Sequence, residues 1–555
     1  MLFRKIARQV TTAPDGFAAG PVPARHRAQL KGRQRLLDRL GGDRLSYSLT
    51  FLLIYALVSP ALAPHAAEFY FDPRGNDLDH GTSEKHPWKS LDRANQHIAE
   101  KGLKPGDTLR FRGGSTFEGY LRLDHAGGGI QSAPVRITSY GRGRATFKPG
   151  VKTGILIRET AWVSVSHLNL VAAIGNLGDG IRCDRTQESE LRIRGLTIQD
   201  CSVLGFGWHG VMVDAAQRSH GFDGVLIERC VAQGNRHAGI MVYGGNPTGR
   251  SQRAHANIRI LDCLAAENLG DPDELKHHSG SGIFLDGVET ALIRGCVAAK
   301  NGANCRNERG GPVGIWAHAS SQVRIERCES YGNASRLRDG GGFDLDGGCE
   351  DCVLRWNFSH HNHGPGFLIY TYTGAAYADR DCQVYGNISW NDGAKSSGYA
   401  GIQIGAEEGC QIRGLKVAYN TVIAPQDSVG AIRILGHSID ASIRSNLVVA
   451  PIHGILVAIS GFKHRVHFQG NRYWREDKRP VFLVDFQWSI PSLDSWSNAT
   501  GPDTRFTSEA DLFLDPYLKR LRFPDPQILR SHPSWPQLSH RFLSEVGAPS
   551  RPPME

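Results

Sequence analysis

The chain has 555 residues, more than an ordinary single domain holds, so it is either several domains or one elongated repeat whose core grows by addition. Its 65 glycines, 21% charged and 40% hydrophobic residues exclude a largely disordered chain and point to many tight turns around a continuous core. The net charge of +9 suggests nucleic acid only until it is located: residues 1–67 hold 10 Lys and Arg against 3 Asp and Glu, which leaves +2 beyond Ala67 and no phosphate-binding face.

Basic residues are scattered through the first 44 positions, followed by an apolar run over 47–60 and the small residues Ala61, Ala63, Ala66 and Ala67. This is the order of a secretory signal, and Pro60 and the shortness of the run disfavour a permanent membrane helix. The basic stretch is long for a signal, so translation is expected to start nearer Leu36 to Leu45. The expected organisation is a basic leader with signal peptide or membrane anchor over 1–67, an N-terminal cap and first coils over 68–150, a repeat region over 151–475, and an irregular C-terminal segment over 476–555. A secreted or periplasmic monomer is expected, touching a membrane only through an uncleaved leader. Between Trp88 and Glu100, Leu91, Ala94 and Ile98 recur at helical spacing and predict an amphipathic capping helix.

From residue 154 a phrase of Gly, apolar, any, apolar, any recurs eleven times, once with Ala431 in place of the Gly, among them Gly180-Ile-Arg-Cys-Asp184, Gly282-Ile-Phe-Leu-Asp286, Gly314-Ile-Trp-Ala-His318 and Gly342-Phe-Asp-Leu-Asp346. A second alternating phrase ends in Cys or Asn, and that position reads Cys201, Cys230, Cys263, Cys296, Cys328, Asn357, Asn387, Asn420, Asn446, Asn471. Short strands of this kind cannot bury an apolar face alone, and stacking successive repeats buries it. Like residues then form a ladder at about 4.8 Å per coil. Repeat lengths run from 23 to 43 residues, so loops of unequal size are expected to emerge from a regular stack. The ladder cysteines are read as small buried hydrophobes; a disulfide among Cys349, Cys352 and Cys382 is left open, and Cys-x-x-Cys at 349–352 has no second pair to make a metal site.

The opening Phe69-Tyr-Phe-Asp-Pro-Arg-Gly-Asn-Asp-Leu-Asp-His-Gly-Thr-Ser83, with Pro87-Trp-Lys-Ser-Leu91 and Gly106-Asp-Thr-Leu-Arg-Phe111, resembles exported right-handed parallel β-helix proteins of the pectate-lyase-like superfamily. The resemblance extends over roughly 68–475 and implies an all-β, right-handed parallel β-helix solenoid that acts on a polysaccharide. It is specific for fold and weak for reaction, because neither the polygalacturonase motif series nor the Asp-Pro-His-Glu motif of alginate epimerases is present.

In the glycine phrase the apolar positions point inward, so the intervening ones line one outward sheet face, expected to be open to solvent. Its middle coils carry Asp214, Tyr243, Asp286, Trp316, His318, Asp344, Asp346 and Tyr370, while Arg182, Asp184, Gln403 and Arg433 flank them. Rings beside acids suit sugars, whose C–H faces stack while their hydroxyls need acceptors. The expected catalytic residues are Asp286, His318, Asp344 and Asp346. Arg182, Asp184, Asp214, Tyr243, Trp316, Tyr370, Tyr372, Gln403 and Arg433 are the expected substrate contacts.

Asp286 and Asp346 fall in one column two coils apart, about 9.6 Å, near the separation of an inverting glycosidase. The close pair Asp344 and Asp346 offers a retaining alternative, and their mutual repulsion is expected to raise one pKa. A uronate lyase using His318 with Tyr370 or Tyr372, with Ca²⁺ held by Asp344 and Asp346, is the second reading, and a non-catalytic glycan-binding protein the third. No cofactor other than that Ca²⁺ is expected. The His-rich 359–364 segment is read as a turn, and Glu407 and Glu408 as groove contacts.

Overall fold

A computed structural model describes residues 66–506, except 126, 216–219, 246–252, 309, 376, 394–397, 426–427, 463–464, 476–478, 480, 486–487, 491 and 501–504. The leader through residue 65 and the C-terminal stretch 507–555 lie outside the described residues. Among the described residues no helix is long and apolar enough to cross a membrane.

Each coil adds one strand to each of three sheets, of 15, 14 and 14 strands, paired in parallel throughout except for one antiparallel pair at the C-terminal end. One turn of the spiral runs through Ile181–Arg185, Ile193–Gln199 and Ser202–Leu204, and His209–Ala215 then settles on the first of these. The register there sets Ile181 against Val211, Cys183 against Val213 and Asp184 against Asp214. Apolar residues of all three sheets meet in one continuous core that runs from Phe69 to Trp496.

The glycine that opens each repeat is dictated by contact along the axis. A Cβ on Gly210, Gly239, Gly282 or Gly342 would lie 2.4 to 2.8 Å from the carbonyl oxygen of the next coil's glycine. The ladder position also has a backbone cause. The residue before it is left-handed in every coil, at Asp200, Arg229, Asp262, Gly295, Arg327, Trp356, Gly386, Tyr419, Ser445 and Gly470, with φ from 50° to 66°. That turn aims the next side chain along the axis, where it satisfies a backbone N–H that a strand would otherwise have paired.

The expected ladder is realised. Cys230 N–H donates to Cys263 Sγ at 3.5 Å, Cys263 N–H to Cys296 Sγ at 3.5 Å, and Cys328 N–H to Asn357 Oδ1 at 3.0 Å. Thereafter each Asn takes both the backbone and amide protons of its predecessor, as Asn446 Oδ1 does from Asn420 at 2.9 and 3.0 Å. A second ladder of Asn235, Asn268, Asn301, Asn333 and Asn362, ending on Asp392, runs along the next corner in the same way. All eleven cysteines are free, including Cys349, Cys352 and Cys382.

The predicted cap is the helix Leu91–Lys101, started by Ser90 Oγ accepting from Arg93 N–H and burying Leu91, Ala94 and Ile98 over the first coils. At the other end Trp496, in the helix Leu493–Thr500, stacks on Phe482 at 4.4 Å and covers the last coil. The His-rich segment is half strand: Phe358–His360 pairs in the third sheet, and His360 Nε2 lies 2.9 Å from Glu329 Oε1, so the turn begins only at His361.

Replacing Asn420 by Ala would strip partners from the Asn387 N–H, the Asn387 amide and the Val384 carbonyl. Urea unfolding is expected to show a loss of about 3 kcal/mol or more. Asn420→Cys is expected to lose less, since sulfur fills the same position in five other coils.

Candidate functional site

The outward residues of the sheet that contains Ile181–Arg185 and His209–Ala215 form two columns. In the first, Asp184, Asp214, Tyr243, Asp286, His318, Asp346 and Tyr370 are successive register partners. In the second, Met212, Met241, Phe284, Trp316, Asp344, Leu368, Gln403 and Arg433 follow one another in the same way. The stack therefore brings Asp286, His318, Asp344 and Asp346 together as the spacing implied.

The expectation that this face lies open to solvent is corrected. Asp286 and Trp316 are each 3% exposed and His318 is 8% exposed, because side chains from the connecting loops roof the sheet. Trp316 lies flat on Phe284 at 3.7 Å, with Met212, Met241 and Val313 in the same outward apolar cluster. The His278 ring meets Trp316 edge-on at 5.0 Å, and Trp316 Nε1 donates to Ser281 Oγ. Trp316 is thus a floor residue and not a sugar platform. Asp346, Tyr243, Tyr370 and Tyr372 are half-buried and form the accessible side.

His318 Nδ1 lies 2.7 Å from Asp286 Oδ1, and Tyr372 Oη lies 2.9 Å from His318 Nε2. Burial alone would depress this imidazole, but the Asp286 hydrogen bond and the charges of Asp286, Asp346 and Asp379 outweigh it and hold it up at about 8. Asp286 is thereby engaged by the ring that separates it from Asp346, which removes the basis for an Asp286/Asp346 pair flanking one bond. Burial also pushes Tyr372 upward, reinforced by Asp346 and Asp286.

Asp344 and Asp346, two residues apart on the strand Gly341–Asp346, face the same side. Burial raises both, and this, more than the repulsion foreseen from sequence, is the larger cause. Their surroundings then separate them. Asp346 accepts the Gly347 N–H at 3.0 Å and faces the His318 cation, which holds it at about 6. Asp344 is more deeply enclosed, its Oδ1 has no partner, and the carboxylates of Asp346, Asp339 and Asp379 push it well above the ordinary range.

Three members of this centre escape a reading by repeat phrase, because Asp339 and His278 sit on loops and Asp379 on the extra two-residue strand Asp379–Arg380, outside the regular coil strands. Asp379 is fully enclosed, accepting the Gly348 and Cys349 N–H groups at 2.7 and 2.8 Å, while its Oδ2 is unpartnered. Asp339, in a left-handed turn, accepts from Gly311 N–H and from Tyr399 Oη. His278 comes from the 43-residue repeat, whose length was the one signal of an added roof.

Several expected substrate contacts are spent within the protein. Arg182 bridges Asp179 at 3.0 Å, Asp184 at 3.1 Å and Asp214, and Asp184 is also held by Arg158 at 2.9 Å. Gln403 is buried, and Arg433 donates to the Gly398 carbonyl, with burial lowering its pKa. Tyr370 lies across Gly405, where a Cβ would come within 2.6 Å of the ring. Glu407 accepts the Thr373 N–H at 2.8 Å and so braces the loop that carries Tyr372. Among the described residues no group of three or more His, Cys, Asp or Glu is disposed to hold a metal ion. Asp344 and Asp346 alone fall short of the roughly six to eight oxygens that Ca²⁺ takes.

Comparison with known proteins agrees with this architecture. Residues 179–389 match the family model described as a right handed beta helix region. A lacto-N-biosidase of Bifidobacterium longum subsp. longum is 28% identical over 123 residues, a match spanning 17% of this chain and 8% of that protein's length. Among solved structures, a GH136 lacto-N-biosidase from Eubacterium ramulus has a TM-score of 0.45 at 15% identity, covering 68% of both chains. The AlgE4 A-module, a mannuronan C-5 epimerase of Azotobacter vinelandii, has a TM-score of 0.43 at 14% identity, covering 72% of this chain and 97% of its own. The chain has a right-handed parallel β-helix fold.

The His318–Asp286 pair carries a pH signature. Because His318 titrates at about 8, above its ordinary 6.5, the stability it contributes is fully present below about pH 6.5 and is lost as pH rises through about 8. The gap in Tm between wild type and Asp286→Asn is therefore expected to narrow between about pH 6 and pH 9. A gap of constant size would show that the imidazole is not held charged by this carboxylate.

Proposed function

We propose that the protein is a glycoside hydrolase acting on an uncharged glycan, with Asp344 as the proton donor and Asp346 as its ionised partner. The observation that carries this reading is the split environment of two carboxyls on one strand, one enclosed among other carboxylates with its Oδ1 unpartnered, the other supported by a backbone N–H and a cation. Glycoside cleavage needs that division: one acid protonated to help the leaving oxygen depart, one ionised to attack the sugar carbon or to activate water. His318 supplies the positive charge that keeps Asp346 ionised while Asp344 retains the pair's proton. Asp286 and Tyr372 orient His318 from its two nitrogens.

The same electrostatics disfavour a uronate lyase. Asp286, Asp339, Asp344, Asp346 and Asp379 crowd one centre in which the His318 cation is already shared, so a substrate carboxylate would be repelled. Tyr372 is pushed away from the range of a useful base, and a protonated His318 cannot accept a proton.

A screen of neutral plant, algal and bacterial glycans, reading product ends, is expected to give plain reducing ends. An unsaturated product that absorbs in the near ultraviolet would overturn the assignment. Asp344→Asn and Asp346→Asn are each expected to lower kcat by about a thousandfold or more. The wild-type rate should climb as Asp346 ionises through about 6 and fall on the alkaline side as Asp344 gives up its proton. A rate independent of pH through this region would contradict the division of roles.

A further inference from the structure

We infer that a second sugar-binding position lies where Trp208, His237 and His209 meet, at the edge of the same sheet four coils before the acid pair. It rests on the glycan reading above. Trp208 occupies the turn that leads into His209–Ala215, and His237 the turn that leads into Ala238–Tyr243 on the next coil. Four coil steps separate His209–Ala215 from Gly341–Asp346, about 19 Å along the axis.

Three features of this corner point to a ligand. Trp208 is 48% exposed yet held: its ring stacks on His237 at 5.1 Å and 16°, its backbone N–H donates to the Gly178 carbonyl, and its backbone carbonyl accepts from the His237 backbone N–H. His209 is 3% exposed and lies edge-on to His237 at 4.8 Å. Its Nδ1 lies 2.7 Å from Asp179 Oδ1, which also accepts the His209 backbone N–H, and Arg182 holds the other Asp179 oxygen at 3.0 Å. The imidazole is thus oriented as firmly as a metal or substrate ligand would require, while its Nε2 has no partner. A purely structural histidine gains nothing from such a vacancy, since an enclosed polar atom without a partner is unfavourable.

The chemistry fits one pyranose unit of a long uncharged chain. The apolar C–H face of the sugar would lie on the exposed Trp208 ring, and a ring hydroxyl would reach the enclosed Nε2 only as the side chains around it shift on binding. Burial drives His237 down to about 3, so it stays a neutral ring under Trp208 and adds no charge to repel or attract an ion. Between this corner and the acids, half-buried Asp214 and Tyr243 continue the same outward column. The substrate is therefore an extended oligosaccharide gripped well away from the bond that is cut.

The test compares xylo-, cello- and chito-oligosaccharides, dimers through hexamers, binding to the full chain carrying Asp346→Asn so that none is consumed, with and without Trp208→Ala. The affinity of the hexamer that binds best is expected to fall about tenfold or more, and that of its dimer less than about twofold. His209→Gln and His237→Ala should reproduce the preference for loss at the long end, with Tm reporting whether each variant stays folded. Equal losses at all lengths, or no Trp208-dependent binding at any length, overturn the inference. Trp208-dependent binding by a protein that cleaves no glycan would leave this position standing and remove the hydrolase reading, whereas cleavage without such dependence would do the reverse.

Discussion

The parallel register of successive coils is the constraint from which the rest follows. Residues some thirty positions apart become neighbours at about one strand spacing, and every outward side chain acquires a fixed place in a column. The register is held at the corners, where left-handed turns aim Cys or Asn side chains down the axis and tie each backbone to the next. A strand that slipped by one residue would lose its ladder contacts and turn its apolar residues outward together. The acid pair therefore inherits its geometry from the stack and not from the loops around it.

The loops contribute enclosure. A bare sheet would leave Asp344 and Asp346 in water with ordinary carboxylate behaviour. Covered by Tyr372 and lined by Asp339 and Asp379, the same two side chains sit where charge is poorly solvated and small differences in hydrogen bonding decide which of them is protonated. The irregular repeat lengths are in this sense the functional part of a regular molecule.

Most of the fold was legible in the sequence, because a solenoid writes its register as a period. The glycine phrase located the outward columns, and the Cys-to-Asn series located one corner ladder residue by residue. The second ladder from Asn235 to Asn362 was not drawn from the sequence, although each of its members follows the first-ladder residue of its coil by five positions, as Asn235 follows Cys230. For the site, the columns holding Asp286, His318, Asp344 and Asp346 were readable, but exposure was not. Alternation says which way Trp316 points and nothing about what another loop lays over it. The same limit hid Asp339 and Asp379, and it made Arg182 and Asp184 look available when Arg182 is held by Asp179, Asp184 and Asp214 and Asp184 by Arg182 and Arg158.

The corner that changes from thiols to amides bears on how such a molecule changes length. Its ladder passes from Cys328 to Asn357 without interruption, each kind of side chain accepting the N–H offered by the coil before it. A whole turn copied or deleted at that junction would still find a matching neighbour above and below. Recombination can thus lengthen or shorten the surface available to a polymer in steps of one coil while the interior remains continuous.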